Sequence, residues 1–351
     1  MVNPPVFDFP PQERVLVPRP RDRVARRLGR SRSAREWWWL ERPIAKVDPT
    51  LIHAHFGWTA REALGAAEYH GIPLVAGFHG YDATVYPHYG FDAHYEIPEQ
   101  AMPPGIYDDL FQKAACILAT SNFIASKLRG LGCEREIEVV PSGIRLEGFP
   151  FRGPRRGAAA EEYRVLFIGR LVPYKGLDVA IRAVAALAAD GTAAPTLTVV
   201  GEGPARAECE TLAKSLGIAK RVHFRGRQPR SLVLDALREA DVLVLPSRTT
   251  PAGQAEGLGN VVKEALSVGL EVAVSDNGGL SEVMPPDRQA ELVAEGDATA
   301  LAERLEAIAQ RRGEWRERAR SGRLWVEETF DWRKLAPRID DAYGRVAGER
   351  D

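Results

Sequence analysis

The sequence is poor in the residues that build disulfide frameworks and metal sites. Only three of its 351 residues are cysteines, and Cys116, Cys133 and Cys209 fit neither a metal-ligand spacing nor an even-numbered disulfide set. No apolar run reaches the ~18 residues that a membrane-spanning helix needs, and residues 1–11 contain no signal-peptide core. We therefore expect buried thiols in a reducing cytosol and a cytoplasmic chain.

An excess of charge of one sign is also missing. The 47 Lys and Arg residues nearly balance the 48 Asp and Glu residues, which gives a net charge of −1. This balance argues against nucleic acid as a partner, because nucleic-acid binding depends on a basic surface. The composition, 45% hydrophobic and 27% charged, is typical of a globular protein, and 351 residues favour two domains over one core.

The glycine fingerprint of nicotinamide-binding enzymes is incomplete at both places where it begins. After Gly201 the position of the third glycine holds Arg206, and after Gly257 it holds Val262. No Asp-x-Asp motif follows a predicted strand. A nicotinamide enzyme and a site built around a metal on a short acidic motif are therefore both disfavoured.

From residue 51 onward, short apolar runs alternate with helical patterns. This alternation predicts βαβ units and two parallel sheets, whose ligands bind beyond the carboxyl ends of the strands. Strands are predicted over 51–54, 73–78, 116–120, 137–140, 165–168, 196–200, 222–224, 242–245 and 272–274. Helices are predicted over 59–69, 107–113, 123–130, 177–189, 205–216, 231–240, 261–268, 301–311, 315–329 and 332–346.

Three stretches interrupt the pattern. Residues 150–161 are rich in Gly, Pro and Ala and predict a linker, and residues 82–104 predict a long loop. An arginine-rich segment runs from Arg19 to Arg35 and ends at Trp37–Trp39. That segment fits either peripheral contact with an anionic membrane surface or a solvated helix whose tryptophans pack into the domain.

The stretch from Glu256 to Glu264 holds the densest group of ligand-binding signals. Gly257 and Gly259 allow a tight turn, and Asn260 is the expected N-cap of a helix over 261–268. The free N–H groups of that helix would seat a phosphate, with one carboxylate on each side for hydroxyl groups. This arrangement suits a sugar nucleotide, although a loop glutamate, a glycine turn and a solvated helical glutamate would give the same spacing.

The surrounding motifs resemble the retaining glycosyltransferases of family 4, especially the polysaccharide-type members, over roughly residues 50–350. In the order typical of that family, the donor-half motifs are Gly169-Arg170 with Lys175-Gly176, Val199–Pro204, Val222–Gly226, Leu243–Ser247, Glu256–Glu264, and Gly278-Gly279 before Glu282. The acceptor-half motifs are His53-Ala54-His55-Phe56 and Phe78–Asp82. The Gly-rich turn with which family members usually begin is not found in residues 1–50.

The resemblance implies the GT-B fold, an α/β architecture of two Rossmann-like domains that face each other across a cleft. The acceptor-side domain is expected over residues 1–150 plus 330–351. The domain that binds the sugar nucleotide is expected over 151–329. In the family, the final helix crosses back onto the N-terminal domain.

The resemblance also implies roles for residues of the donor site. Arg170 and Lys175 would hold the diphosphate, Glu256 would grip sugar hydroxyls, and Glu264 would bind the ribose. The Gly201 turn would border the nucleotide, and the base would pack against the loop after Gly226. The remaining residues expected to contact the donor are Arg227, Gln228, Gly257, Leu258, Gly259, Asn260 and Val261.

On the acceptor side, His79 is expected to face the reacting sugar and Asp82 to bind acceptor hydroxyls. His53 and His55 alternate on one predicted strand, so both face the same side. Two such histidines could bind a metal, but no acidic ligand stands at a suitable spacing. We expect a structural role or a role at the acceptor edge for these two histidines, the latter for His55, and no metal.

The implied reaction is retaining transfer of a sugar from a UDP- or GDP-linked donor to a hydroxyl of a saccharide, a glycolipid or a small metabolite. No cofactor beyond this substrate is expected. A sugar-nucleotide-binding protein without transfer activity remains an alternative, motivated by the missing Gly-rich turn. A phosphorylase is disfavoured because no pyridoxal-lysine signature is present.

Overall fold

The structure is a computed structural model that describes residues 44, 46–89, 104–153, 162–189 and 194–348. The arginine-rich segment and most of both the expected loop and the expected linker lie outside these residues. Two parallel sheets are present, ordered β1-β2-β3-β4 and β7-β6-β5-β8-β9. The strands are β1 (Ile52–His55), β2 (Leu74–Phe78), β3 (Cys116–Ala119), β4 (Glu138–Val139), β5 (Glu162–Ile168), β6 (Ala194–Val200), β7 (Val222–Phe224), β8 (Val242–Leu245) and β9 (Glu271–Val274).

Helices connect and cover the strands. They are α1 (Gly57–His70), α2 (Tyr81–Thr84), α3 (Tyr86–Tyr89), α4 (Asp108–Lys113), α5 (Asn122–Gly130), α6 (Leu177–Ala189), α7 (Arg206–Ser215), α8 (Arg230–Glu239), α9 (Asn260–Val268), α10 (Leu280–Val283), α11 (Ala298–Gln310), α12 (Trp315–Thr329) and α13 (Trp332–Gly348). Short 3₁₀ helices occur at Leu146–Gly148, Pro173–Lys175, Ala219–Arg221, Pro286–Glu291 and Arg312–Glu314.

Every strand pair is parallel. Strands β2, β3, β8 and β9 are buried along their whole length. Helices that cover both faces of a parallel sheet bury its strands in this way, which explains why the strands appear in the sequence as continuous apolar runs. The predicted α/β fold class is confirmed.

One predicted element is wrong. The segment after His79 does not begin as a loop, because α2 and α3 continue as helical turns to Tyr89. The carbonyl of Gly80 starts this structure by accepting the N–H groups of Ala83 and Thr84. The other element boundaries differ from the predicted ones by three residues or fewer.

The last helix, α13, packs against the first sheet although it follows the second in sequence. Leu335, Ala342 and Val346 join a cluster with Val75 of β2 and Leu118 of β3. The chain therefore crosses between the two sheets twice.

All three cysteines are free and buried, as expected. Among the described residues, none of the helices combines the length and apolarity required to cross a bilayer.

Candidate active site

The carboxyl ends of the two sheets face each other and touch at Gly257. A Cβ atom at this position would lie 2.3 Å from the carbonyl oxygen of His79, which directly follows β2. Only glycine allows these two backbones to approach so closely. The hydroxyl of Ser121 donates a 2.8 Å hydrogen bond to the Gly257 carbonyl. Sequence motifs from both sheets therefore meet at one point of the cleft.

A buried ion pair lies beside this contact. The Lys175 ammonium is 2.5 Å from Oε2 of Glu256, and the Ser247 hydroxyl donates to the same oxygen at 3.1 Å. Burial disfavours the Lys175 ammonium, but the Glu256 carboxylate outweighs this effect, so the pKa of Lys175 is raised. The Glu256 N–H donates to Oδ1 of Asn277 at 2.9 Å. Both side chains are thus held in place from several directions.

The turn that carries Lys175 also depends on a glycine. Gly176 has φ +70°, and a Cβ there would lie 1.9 Å from the Pro246 carbonyl oxygen. Arg170, the other expected diphosphate ligand, has an exposed side chain, and its Nη2 donates to the Tyr174 hydroxyl at 3.3 Å. Arg170 and Lys175 therefore flank the same short turn after β5.

Helix α9 begins one residue earlier than predicted. Gly259, with φ 71°, is the N-cap, and no side chain caps the first turn. The expected N-cap, Asn260, is instead the first helical residue, and its Oδ1 accepts from the Ser142 hydroxyl at 2.9 Å. The correction has a physical reason, since the left-handed turn at Gly259 sets the chain direction into the helix. The Val262 N–H donates to the Gly259 carbonyl at 3.0 Å, so the N–H groups of Asn260 and Val261 are the ones left for a ligand.

The rest of the expected donor residues surround this helix. Leu258 is buried, whereas Val261 is partly exposed on the first turn. Glu264 lies one turn inside α9, and burial raises the pKa of its carboxyl group, although Arg230 and Lys263 oppose the shift.

The two loops assigned to the nucleotide are joined to each other. The N–H of Gly201 donates to the Gly226 carbonyl at 2.9 Å. Arg227 is exposed, and the Gln228 side-chain amide donates to the Arg225 carbonyl. The structure therefore places these loops together, and their contact with a base stays a prediction.

Three histidines form a continuous row on the first sheet. His55 Nδ1 is 3.0 Å from His79 Nε2, and the His53 and His55 ring centroids are 4.3 Å apart. His53 Nδ1 lies 2.5 Å from the Tyr343 hydroxyl of α13. The row thus leads from the last helix of the chain to the cleft, a connection that the sequence did not suggest.

These histidines are neutral at physiological pH. Burial lowers the pKa of His53 to about 3, with help from the other two rings. Burial also lowers the pKa values of His55 and His79 to about 4 each. A neutral imidazole has one donor and one acceptor nitrogen, so the row can bind and orient hydroxyl groups without adding charge.

Asp82 is not placed to bind acceptor hydroxyls. Its side chain is 0% exposed, and its carboxylate accepts backbone N–H groups from Gly57, His79 and Gly80 at 3.0, 3.0 and 2.7 Å. A carboxylate surrounded in this way holds the backbone turn that carries His79. The expected acceptor contact is therefore replaced by a positioning role.

Phe56 was missed as a site residue, although it belongs to the quoted His53–Phe56 motif. Its φ of 72° is a left-handed value that residues with a Cβ rarely adopt. Such strain costs about 1–3 kcal/mol and persists where the surroundings enforce it, often at functional sites. No local pattern in the sequence marks it.

Glu282 links the two sheets, a role that the sequence did not assign to it. Its carboxylate accepts the Asn122 N–H at 2.7 Å, the Asn122 side-chain amide at 2.8 Å and the Phe123 N–H at 2.8 Å. We call this set of bonds the Glu282 clasp. It borders a cavity of about 520 Å³ that Leu258 and Trp325 also line.

Across the parts of the chain that the structure describes, no group of three or more His, Cys, Asp or Glu residues is arranged to hold a metal ion.

Two models of known protein families match the chain. The model for "Glycosyl transferases group 1" matches residues 154–323, and the model for "Glycosyltransferase Family 4" matches residues 4–147. The chain belongs to the group 1 glycosyl transferases. The resemblance inferred from the sequence motifs is confirmed.

Relatives within the group 1 family include proteins named for polysaccharide synthesis. The chain is 32% identical over 266 residues to the "Putative colanic acid biosynthesis glycosyltransferase WcaL" of Escherichia coli, covering 73% of this chain and 61% of that protein. It is 34% identical over 205 residues to the amylovoran biosynthesis glycosyltransferase AmsK of Erwinia amylovora, covering 58% and 50%. The chain thus spans between half and three fifths of the length of these relatives.

Solved structures share the group 1 architecture. Sucrose-phosphate synthase of Thermosynechococcus elongatus superposes with a TM-score of 0.73 at 23% identity, covering 88% of this chain and 77% of that one. HepE of Anabaena, solved with UDP and glucose, superposes with a TM-score of 0.69 at 18% identity, covering 87% and 82%. At these identities the likeness establishes the fold.

Proposed function

We propose that the protein transfers a sugar, with retention at the anomeric carbon, from a UDP- or GDP-linked donor to a hydroxyl of a saccharide or glycolipid. The observation that carries this proposal is the buried Lys175–Glu256 pair beside the uncapped start of α9, opposite His79. Named relatives act in polysaccharide synthesis, and HepE is solved with UDP-glucose. A Mycobacterium tuberculosis relative, 30% identical over 227 residues, is a GDP-mannose-dependent mannosyltransferase.

The cationic side chains and the helix N-terminus beside the second sheet can bind a diphosphate. Lys175 supplies a point charge, Arg170 a planar fork, and the first turn of α9 its free N–H groups. Glu256 uses Oε2 for Lys175 and Ser247, while Oε1 has no hydrogen bond to any described residue. That oxygen is available to the hydroxyls of the donor sugar.

The reaction that we propose is a front-side displacement, as the resemblance to family 4 implies. The bond between the anomeric carbon and the diphosphate oxygen breaks, and its electron pair leaves with the phosphate. The acceptor hydroxyl attacks the anomeric carbon from the same face, and the departing phosphate oxygen takes the hydroxyl proton. Groups fixed before the donor arrives stabilise the developing negative charge with little reorganisation.

A donor screen tests the proposal. Purified protein is incubated with UDP-glucose, UDP-galactose or GDP-mannose and a pool of saccharide acceptors, and products are identified by mass spectrometry. Lys175→Met should weaken nucleoside diphosphate binding, by roughly 1.5–3 kcal/mol for a lost charge-assisted hydrogen bond. Lys220→Met, at an exposed lysine of the same half, is the matched control. Donor binding with neither transfer nor hydrolysis would support a binding protein instead.

We propose further that transfer needs no divalent metal, because Arg170, Lys175 and the α9 terminus already meet the diphosphate charge. Transfer should therefore survive an excess of EDTA, measured as product formed with the best donor of the screen. Complete loss of activity that magnesium or manganese restores would contradict this prediction.

A further inference from the structure

An exposed aromatic stack stands on the wall of the cleft. Phe56 follows β1 and precedes α1, with φ 72° and ψ 133°. Its N–H donates to the Gly77 carbonyl at 2.8 Å, and its carbonyl accepts the Ala60 N–H at 3.0 Å. The backbone is thus pinned on both sides of the strained residue, so the phenyl ring cannot turn away by relaxing the backbone.

The phenyl ring of Phe56 faces the cleft and is not fully buried in the core. Phe56 is 39% exposed, and its ring lies parallel to the Trp58 indole, with centroids 4.7 Å apart and planes at 6°. The centroid of the Phe56 ring is also 4.8 Å from the centroid of the His79 ring. The backbone carbonyl of His79 in turn lies against Gly257 on the opposite wall of the cleft. We call this pair the Phe56–Trp58 stack.

Strain and exposure together point to a ligand. An apolar side chain gains little from exposure to water, and a glycine here would remove the backbone strain. The surroundings nevertheless hold a flat aromatic face at the carboxyl ends of β1 and β2, where ligands of parallel sheets bind. Strained residues cluster at such ligand contacts.

The chemistry around the stack selects the ligand. A pyranose ring has a face of C–H groups that packs on an aromatic plane, and a rim of hydroxyls that needs donors and acceptors. Beside the stack, the contact between the two rings uses His55 Nδ1 and His79 Nε2, which leaves His55 Nε2 and His79 Nδ1 to face a ligand. An uncharged sugar ring therefore matches both the flat face and the neutral imidazole rim.

We propose that the Phe56–Trp58 stack is the subsite that seats a pyranose ring of the acceptor and brings its hydroxyl next to His79. The assignment of this sugar as the acceptor rests on the proposed transferase function. Saccharide binding to the stack is an independent property that can be measured without turnover.

The test is ligand-observed saturation-transfer NMR on the full chain. The probes are the methyl glycosides of glucopyranose, galactopyranose and mannopyranose. Wild-type protein should transfer saturation to the ring C–H protons of at least one probe. Phe56→Gly should reduce that signal at least tenfold, and Phe56→Tyr, which keeps the flat face, should restore it. Tyr69→Ala is the control, because Tyr69 is an exposed aromatic near the far end of α1, about 20 Å away.

Thermal unfolding measurements show whether a variant loses the NMR signal only because it unfolds. Glycine relieves the backbone strain but loses the packing of the phenyl ring on Trp58, so the Tm of Phe56→Gly should stay close to that of wild type. Should that variant melt at a lower temperature, Phe56→Leu decides, because it keeps the bulk and removes only the flat face. The proposed subsite is refuted if wild type gives no saturation-transfer signal. It is also refuted if the signal is unchanged in Phe56→Gly or, where that variant is destabilised, in Phe56→Leu.

Calorimetry with UDP and GDP separates the two proposals. Saccharide binding without binding of either nucleotide would refute the transferase function and leave a saccharide subsite. Nucleotide binding without saccharide binding would refute the saccharide subsite and leave the transferase function standing.

Discussion

At the scale of single residues, the site is held ready by contacts that exist before any ligand binds. Glu256 keeps Lys175 in place through Oε2, and Asn277 fixes the Glu256 backbone. A diphosphate that enters the site would share Lys175 with Glu256. Under the proposed function the two side chains would have separable tasks, the lysine on the phosphates and the carboxylate on the sugar and on the lysine itself.

Glu256→Gln should lower turnover much more than it weakens binding of the nucleoside diphosphate. The amide keeps the shape of the side chain but loses the charge that orients Lys175 and grips sugar hydroxyls as they become acidic. We expect kcat to fall by at least about tenfold and UDP or GDP affinity to stay within about threefold. Glu303→Gln, at an exposed glutamate, is the control. Equal turnover in Glu256→Gln and wild type would exclude this role.

His53 makes the free energy of unfolding depend on pH in the acidic range. Its folded pKa of about 3 lies below the unfolded value near 6.5, so between these values the unfolded state binds more protons. Stability is therefore fully present above pH 6.5 and falls as the pH drops towards 3. His53→Gln should remove on the order of 2–3 kcal/mol of the loss between pH 6.5 and 4, measured by urea unfolding. Parallel pH profiles for variant and wild type would count against a neutral His53.

At the scale of elements, the strands were predictable because each is a short apolar run. Helices α6 and α12 begin and end where periodicity places them, at Leu177–Ala189 and Trp315–Thr329. Contacts such as Glu282 with Asn122 join residues 160 positions apart. No local pattern encodes such pairs, and they had to come from the structure.

The misassigned residues share a cause. A carboxylate such as Asp82 can bind either a ligand hydroxyl or a backbone N–H, and the motif is the same in both cases. Asn260 is a good helix N-cap in general, but a left-handed glycine before it already performs that function. The sequence thus located the donor and acceptor motifs, while the partner of each polar side chain depended on tertiary contacts.

Lys263 of α9 should make stability rise with pH. Its side chain is 1% exposed and donates to the Ser142 carbonyl at 2.5 Å, and burial lowers its pKa to about 7, although Glu264 opposes the shift. Between pH 7 and 10 the unfolded lysine holds a proton that the folded one has lost. The free energy of unfolding of wild type relative to Lys263→Met should therefore increase by on the order of 2–4 kcal/mol across this window. A constant difference would rule out a neutral lysine.

At the scale of the whole molecule, the contacts that join the two sheets at the cleft include two sets of interest. One is the contact of Gly257 with His79 and Ser121, and the other is the Glu282 clasp on the start of α5. The clasp places a carboxylate at a helix N-terminus, where negative charge is favourable. These contacts favour the arrangement in which donor and acceptor residues face each other.

Glu282→Ala should therefore weaken this arrangement. Small-angle X-ray scattering without ligand should give a larger radius of gyration for the variant than for wild type, and addition of UDP should reduce the difference. Asn122→Ala and the double variant complete a mutant cycle. Additive effects of the two substitutions would show that the clasp does not couple the sheets.

The return of α13 to the first sheet also bears on how the protein is made. Val75, Leu118 and Val140 are covered by Leu335, Ala342 and Val346, which leave the ribosome much later. At ~5–20 residues per second, the intervening chain takes on the order of 10–40 s to synthesise. During that interval the nascent first sheet exposes an apolar face, and it becomes complete only after the second sheet has had time to fold. We therefore expect the apolar face of the nascent first sheet to need shielding until α13 has been made.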